Sequence, residues 1–227
     1  MNVKIAPSIL AGDLSSLRGE VERAERGGAD IIHLDVMDGH FAPNLTFGPG
    51  TVKALRGYSK LPFDAHLMIS SPLQHLESFI EAGCDIISVH AEVCNADTFA
   101  EVSEKLKSSG RKVGIALNPN TDLPEWLMQN LRSIDLLNVM SVFPGFSGQK
   151  FMPEVLPRMS KINEMIQQRG LEIEIEADGG VGEANAYDLV RAGARVLVAG
   201  NSVYGSADVG KAIATLREKA LLATKEV

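Results

Sequence analysis

The stretch GADIIHLDVMDG, residues 28–39, decides how the rest of the chain is read. Gly28 can take the left-handed conformation that ends a helix. An apolar run rich in isoleucine and valine follows almost at once, as a buried strand does. Within that run His33 and Asp35 stand two positions apart. Side chains at i and i+2 of a strand leave by the same face, so an imidazole and a carboxylate are aimed at one point.

The same device recurs along the chain. Gly83-Cys84-Asp85-Ile86-Ile87 and Gly193-Ala194-Arg195-Val196-Leu197 repeat it, and Ser133-Ile134-Asp135-Leu136-Leu137 is a degraded copy. Gly28 and Gly83 are 55 positions apart, and Gly193 lies twice that distance beyond Gly83. A period of about 55 residues accommodates two βα units, and four periods make eight. A direct reading agrees, with strands expected at KIAPSIL, DIIHLDVM, PFDAHLM, DIISVHA, KVGIALN, LLNVMSV, EIEIEAD and RVLVAG. Amphipathic stretches separate them. After Asp13, a good N-cap, Leu14, Leu17, Val21 and Ala24 recur at helical spacing until Gly27 and Gly28. Ser71-Pro72 opens another helix, with proline at the favoured first position and Leu73, Leu76 and Ile80 along one face. Short apolar strands alternating strictly with helices predict an all-parallel sheet covered on its outer face. Eight units in 227 residues favour an α/β fold closed into a (β/α)8 TIM barrel, an eight-stranded parallel barrel. Residues 1–227 contain no linker or low-complexity tract and are expected to form a single domain.

Bulk composition narrows the function classes. A formal net charge of −7 supplies no basic field for nucleic acid or an anionic membrane. Cys84 and Cys94 make neither a disulfide framework nor a CxxC motif. The opening MNVKIAPSIL lacks the basic and long apolar segments of a secretory signal, and no run approaches the roughly 18 apolar residues of a membrane span. The expectation is a cytoplasmic protein acting on a small molecule.

In such barrels the chemistry gathers where strands end at their C-terminal side. His66 in PFDAHLM and Asp178 in EIEIEAD end two further strands. One histidine near a strand end is ordinarily a hydrogen-bonded core residue. Four groups at matching ends, two of them carboxylates in apolar surroundings, instead suit a divalent metal. His33, Asp35, His66 and Asp178 are therefore the candidate ligands. His40, His75 and His90 lack this support: His75 is expected on a helix surface and His90 at the rim. Met37, Met68 and Met140 sit beside the candidate ligands and have two readings, core filler or a soft apolar wall around the pocket. Glycine-bearing loops follow the last three expected strands: Pro144-Gly145-Phe146-Ser147-Gly148-Gln149, Asp178-Gly179-Gly180-Val181-Gly182 and Gly200-Asn201-Ser202. That is where barrel enzymes grip phosphate through backbone N–H groups and a short helix, which residues 201–204 could provide.

The run HLDVMDGHFAPNLTFG (residues 33–48), with APSIL before it and HLM, PGF–GQ and DGG after it, resembles the ribulose-phosphate 3-epimerases over essentially the whole chain. The resemblance implies the same barrel and the interconversion of D-ribulose 5-phosphate and D-xylulose 5-phosphate in the pentose phosphate pathway. It implies one divalent metal, usually Zn²⁺ with Fe²⁺, Mn²⁺ or Co²⁺ as substitutes, on the residues matching His33, Asp35, His66 and Asp178. It also implies a substrate contact from Ser8, and His66 and the three methionines are expected to border the substrate as well. A phosphate grip by Gly145, Phe146, Ser147, Gly148, Gly179, Gly180, Gly200 and Asn201 follows in the same way, as does a symmetric homo-oligomer. Ser147, Phe143, Ala177 and Asn201 depart from the usual family residues. For inversion at C3, Asp35 and Asp178 are the expected pair of acid/base groups, one for each face of an enediolate, with the metal stabilising its charge. Competing readings are an epimerase of another ketose phosphate such as D-allulose 6-phosphate, a barrel lyase similar to hexulose-phosphate synthase, and a barrel that only binds phosphometabolites. The lyase would place a lysine among the strand-end carboxylates, and none stands there.

Overall fold

The computed structural model describes residues 3–224, and the expected alternation runs through all of them. The strands are β1 (Lys4–Pro7), β2 (Ile32–Met37), β3 (Phe63–Met68), β4 (Ile86–His90), β5 (Lys112–Leu117), β6 (Leu136–Met140), β7 (Glu174–Asp178) and β8 (Ala194–Ala199). They pair in parallel in the order β1-β8-β7-β6-β5-β4-β3-β2. The two ends of that ladder meet at a parallel bridge between Ser8 and His33, which closes the ring. Around it lie α1 (Leu17–Arg26), α2 (Pro49–Arg56), α3 (Pro72–Ala82), α4 (Ala96–Ser108), α5 (Glu125–Gln129), α6 (Val155–Gln168), α7 (Ala186–Arg191), α8 (Asn201–Tyr204) and α9 (Val209–Leu222). Among the described residues no helix is long and apolar enough to cross a membrane.

All eight expected strands are present, with shorter ends. KIAPSIL stops at Pro7, because the chain turns into a 3₁₀ segment at Ile9–Ala11. Asp13 does not cap α1. Its carboxylate accepts the Ser15 N–H and caps a 3₁₀ turn, Leu14–Ser16, so that α1 begins at Leu17 and Leu14 is left 57% exposed. Pro72 takes the first position of α3 as expected, with Leu76 buried.

The repeated motif is a device for joining strands. Gly28, Gly83 and Gly193 all have positive φ (86°, 95° and 117°). The aspartate two residues beyond the first two glycines, and Asp135 in the degraded copy, each grip the strand preceding in the sheet. Their N–H groups donate to the Ile5, Phe63 and Val113 carbonyls at 3.0, 2.9 and 2.9 Å. Their carboxylates accept the N–H of the same three residues at 2.8, 2.9 and 2.7 Å. Each clamp satisfies the donor at the base of a strand that the ladder would leave open. In the fourth copy Arg195 replaces the aspartate, and the β7–β8 pairing there has a register irregularity between Ile175 and Glu176.

Inside the ring the residues are layered. An apolar plug of Ala6, Ile31, Ile86, Leu136, Val196 and Val198 fills part of the bore. Met37, Met68, Met140 and Ala42 form a separate apolar cluster. A polar set also lies buried in the bore: His33, Asp35, Asp64, His66, Ser88, His90, Asn138, Glu176 and Asp178. The outward side chains, such as Leu34, Phe63 and Leu67, pack with Phe79 and Phe99 of the helices into the large core.

Replacing Asp135 by alanine leaves the buried Val113 N–H without its acceptor and is expected to cost about 1–3 kcal/mol in urea unfolding. Asp135→Asn keeps an acceptor oxygen and should cost less.

Candidate metal centre and substrate cleft

Strand pleating brings the four proposed ligands together. His33 and Asp35 project from β2, His66 stands opposite Asp35 in the β2–β3 register, and Asp178 ends β7. One ligand atom from each lies within 4.8 Å of the others. His33 Nε2 is 3.4 Å from Asp35 Oδ1 and 3.6 Å from Asp178 Oδ2. His66 Nδ1 is 3.5 and 3.1 Å from the same two oxygens. Ligands at about 2.1 Å from a tetrahedral ion are separated by about 3.4 Å, so the spacing fits a divalent cation. The two ring nitrogens facing this point are also the ones left without a hydrogen bond.

A second tier orients these ligands, and the sequence reading passed over it. His33 Nδ1 meets Asp64 Oδ2 at 2.9 Å, which turns Nε2 toward the centre. His66 Nε2 lies 2.9 Å from His90 Nε2, and His90 Nδ1 lies 2.9 Å from Glu92 Oε2. His90 is fully buried behind His66 and does not stand at the rim, whereas His40 and His75 are exposed. Asp178 Oδ2 accepts from Asn138 Nδ2 at 3.3 Å, and Asp35 Oδ2 accepts the Ser8 hydroxyl at 2.5 Å. Histidine ligands held by a carboxylate or a second polar group are the usual architecture of metal sites. The signal was in the sequence. Asp64 precedes His66 by two, Ser88 precedes His90 by two, and Glu176 precedes Asp178 by two. The spacing that singled out His33 and Asp35 therefore also places these residues inside the ring.

The electrostatics call for positive charge at this point. Burial disfavours protonated His33, yet Asp35 and Asp64 outweigh it and raise its pKa well above the usual value. His66 behaves alike: burial opposes protonation, but Asp178 and Asp35 lift it to about 9. Asp35 is buried too, and His33 and His66 hold its carboxyl well below the ordinary carboxylate range. Glu176 goes the other way, since burial and then Asp64 push its carboxyl up and favour the neutral acid. Burial is also the largest influence on His90, brings its pKa down to about 4 and keeps it neutral.

Above the centre opens a cleft of about 290 Å³. Ser8, Asp35, Asp178, Met37, Met68 and Met140 line its inner part. Gly145, Phe146, Ser147, Gly148, Gly179, Gly180, Gly200 and Asn201 line the outer part. His66, expected to touch substrate as well, does not line the cleft. Its ring is fully buried and turned to the two aspartates. The methionines are both filler and wall, being almost fully buried while reaching the cleft. Two of the loop glycines are fixed by their neighbours. A Cβ on Gly148 would fall 2.6 Å from Asn201 Nδ2, one on Gly180 would fall 2.5 Å from the Phe151 nitrogen, and both have positive φ. The three glycine loops thus pack edge to edge beside α8, with no lysine or arginine among the residues lining the cleft. Nothing in the structure explains serine rather than glycine at position 147.

Comparison with known proteins gives a consistent picture. The model of the Ribulose-phosphate 3 epimerase family matches residues 4–204. Ribulose-phosphate 3-epimerase of Bacillus subtilis is 45% identical over 95% of this chain and 98% of its own length. The Synechocystis enzyme of the same name is 44% identical over 95% and 94%. Among solved structures, KGPDC from Streptococcus mutans superposes with a TM-score of 0.75 at 11% identity, covering 97% of this chain and 98% of that one. For 3-hexulose-6-phosphate synthase from Salmonella typhimurium the TM-score is 0.70 at 19% identity, covering 97% and 99%. At those identities the likeness concerns the barrel alone.

Chelator-stripped protein is expected to take up one Zn²⁺ per chain. Free Zn²⁺ at a hundred times its dissociation constant should add about 2.7 kcal/mol to the unfolding free energy. His33→Ala and His66→Ala should each erase most of that increment, read as thermal unfolding with and without the ion.

Proposed function

This chain belongs to the ribulose-phosphate 3-epimerase family, and from that premise we propose that it interconverts D-ribulose 5-phosphate and D-xylulose 5-phosphate by a metal-dependent, two-base mechanism. The observation that carries the reading is the placement of Asp35 and Asp178. They belong to different strands, flank one point at the floor of the cleft, and are the two members of the ligand quartet that reach it. His33, Asp35, His66 and Asp178 would hold the ion, and two imidazoles with two carboxylates match what Zn²⁺ accepts. When bound, the cation supplies Lewis-acid stabilisation of the negative charge that develops on the sugar oxygens.

The chain's own residues account for the remaining steps. One aspartate removes the C3 proton, the C–H electron pair moves toward C2, and a planar enediolate results. The other aspartate, in its acid form, returns a proton to C3 on the opposite face, and the two exchange roles in the reverse direction. The Ser8 hydroxyl donates to Asp35 Oδ2, which fixes the plane of that carboxylate. Met37, Met68 and Met140 border the reacting carbon with apolar surface and limit access of water. With no basic side chain lining the cleft, the phosphate is held by the backbone N–H groups of the three glycine loops and the start of α8. General acid–base help is worth about 10²–10⁴-fold, and charge stabilisation supplies the larger share.

Asp35→Asn and Asp178→Asn, each assayed at matched metal content, are expected to lose about 10²–10⁴-fold in kcat while remaining folded. Proton NMR in ²H₂O should show deuterium entering C3 of the ketose phosphate with wild-type protein. Near-normal turnover by either variant would sink the two-base scheme.

A further inference from the structure

His90, the last residue of β4, and Glu92 just beyond it lie behind His66 and do not line the cleft. The His66 and His90 rings are 19° from parallel, with their Nε2 atoms 2.9 Å apart. Each ring can therefore present an in-plane N–H or lone pair to the other. His90 Nδ1 is 2.9 Å from Glu92 Oε2, and Glu92 Oε1 accepts the Asn118 N–H at 2.8 Å.

The direction of this chain is set by its last member. A carboxylate offers only lone pairs, so His90 carries its proton on Nδ1. Neutral His90 then has a bare Nε2, which needs a donor opposite. That donor is the Nε2–H of His66. His66 thereby keeps its Nε2 proton, so that when a cation displaces the proton on Nδ1, the atom that faces Asp35 and Asp178, the lone pair is left there. We propose that Glu92 and His90 are positioning residues that fix the His66 tautomer so that Nδ1 is free to ligate the divalent cation. The inference rests on the metal reading above and deepens it.

Glu92→Gln tests it with almost no change of shape. The amide oxygen stays on the Asn118 N–H, and the NH₂ group is brought to His90 Nδ1. His90 must then carry its proton on Nε2 and donate to His66 Nε2, which removes the donor role that His66 needs when Nδ1 holds a cation. The experiment uses the full chain, stripped with a chelator. It combines competition titration of Zn²⁺ against a chromophoric chelator with ¹⁵N NMR of the histidine tautomers. Wild type is expected to show His90 protonated on Nδ1. In E92Q the proton should move to Nε2, with Zn²⁺ affinity 10–100-fold weaker, the range typical for lost outer partners of metal ligands. Wild-type His90 protonated on Nε2 would overturn the relay whatever the variant does. So would E92Q with unaltered affinity, which leaves the metal reading intact. Stripped wild type that takes up no Zn²⁺ would remove the metal reading and this inference together.

Discussion

Four carboxyl groups and three imidazoles share the bore of this barrel, and the rest of the structure depends on how their charges are balanced. An isolated ion there would cost several kcal/mol. The arrangement avoids this by pairing. His33 stands between Asp35 and Asp64, His66 between Asp35 and Asp178, and Glu176 favours the neutral acid. Paired histidines leave one nitrogen each pointing inward, so the pattern that makes burial tolerable also produces the candidate ligand set. Stability and chemistry are here properties of the same hydrogen bonds.

The two rims of the barrel have separate tasks. At the start of the strands, Asp30, Asp85 and Asp135 bind backbone donors, and Arg217 and Arg56 cover the first two at 2.6 and 3.1 Å. At the far end the backbone gives way to glycine loops in which Gly145, Gly148, Gly179 and Gly180 have positive φ, and a Cβ on Gly179 or Gly180 would meet neighbouring backbone. None of those three aspartates and two arginines lines the cleft. The reactive face is free to be built from loops because the opposite face holds the strands in register.

Much of this was legible in the sequence, and the exceptions have physical causes. The eight strands, their order and the meeting of His33, Asp35, His66 and Asp178 follow from two simple periods, the repeated glycine device and the i, i+2 pairing on a strand. Asp64 and Glu176 obey the same pairing but stand two residues before a candidate ligand, in runs where only the later residue attracts notice, whereas His90 ends β4 itself and its position alone suggests the rim. The link from Asp64 on β3 to His33 on β2 appears only once the register is known. Asp13 illustrates the opposite case. Its local pattern suits a helix start, yet the chain uses it for a 3₁₀ turn that delays the helix to Leu17. The aspartates of the repeat were visible as letters, but their partners on the preceding strand were not.

Those clamps bear on how the chain is made. Asp30, Asp85 and Asp135 reach partners only 25, 22 and 22 residues earlier, so the entropy of closing each loop is small. A polypeptide leaving the ribosome amino end first can lock β1 to β2, β3 to β4 and β5 to β6 as each pair emerges. The fourth pair has no such lock, and the seam of β8 against β1 joins opposite ends of the chain. The three clamps close short loops, and the strand pairing that shuts the cylinder is the one of longest range along the chain.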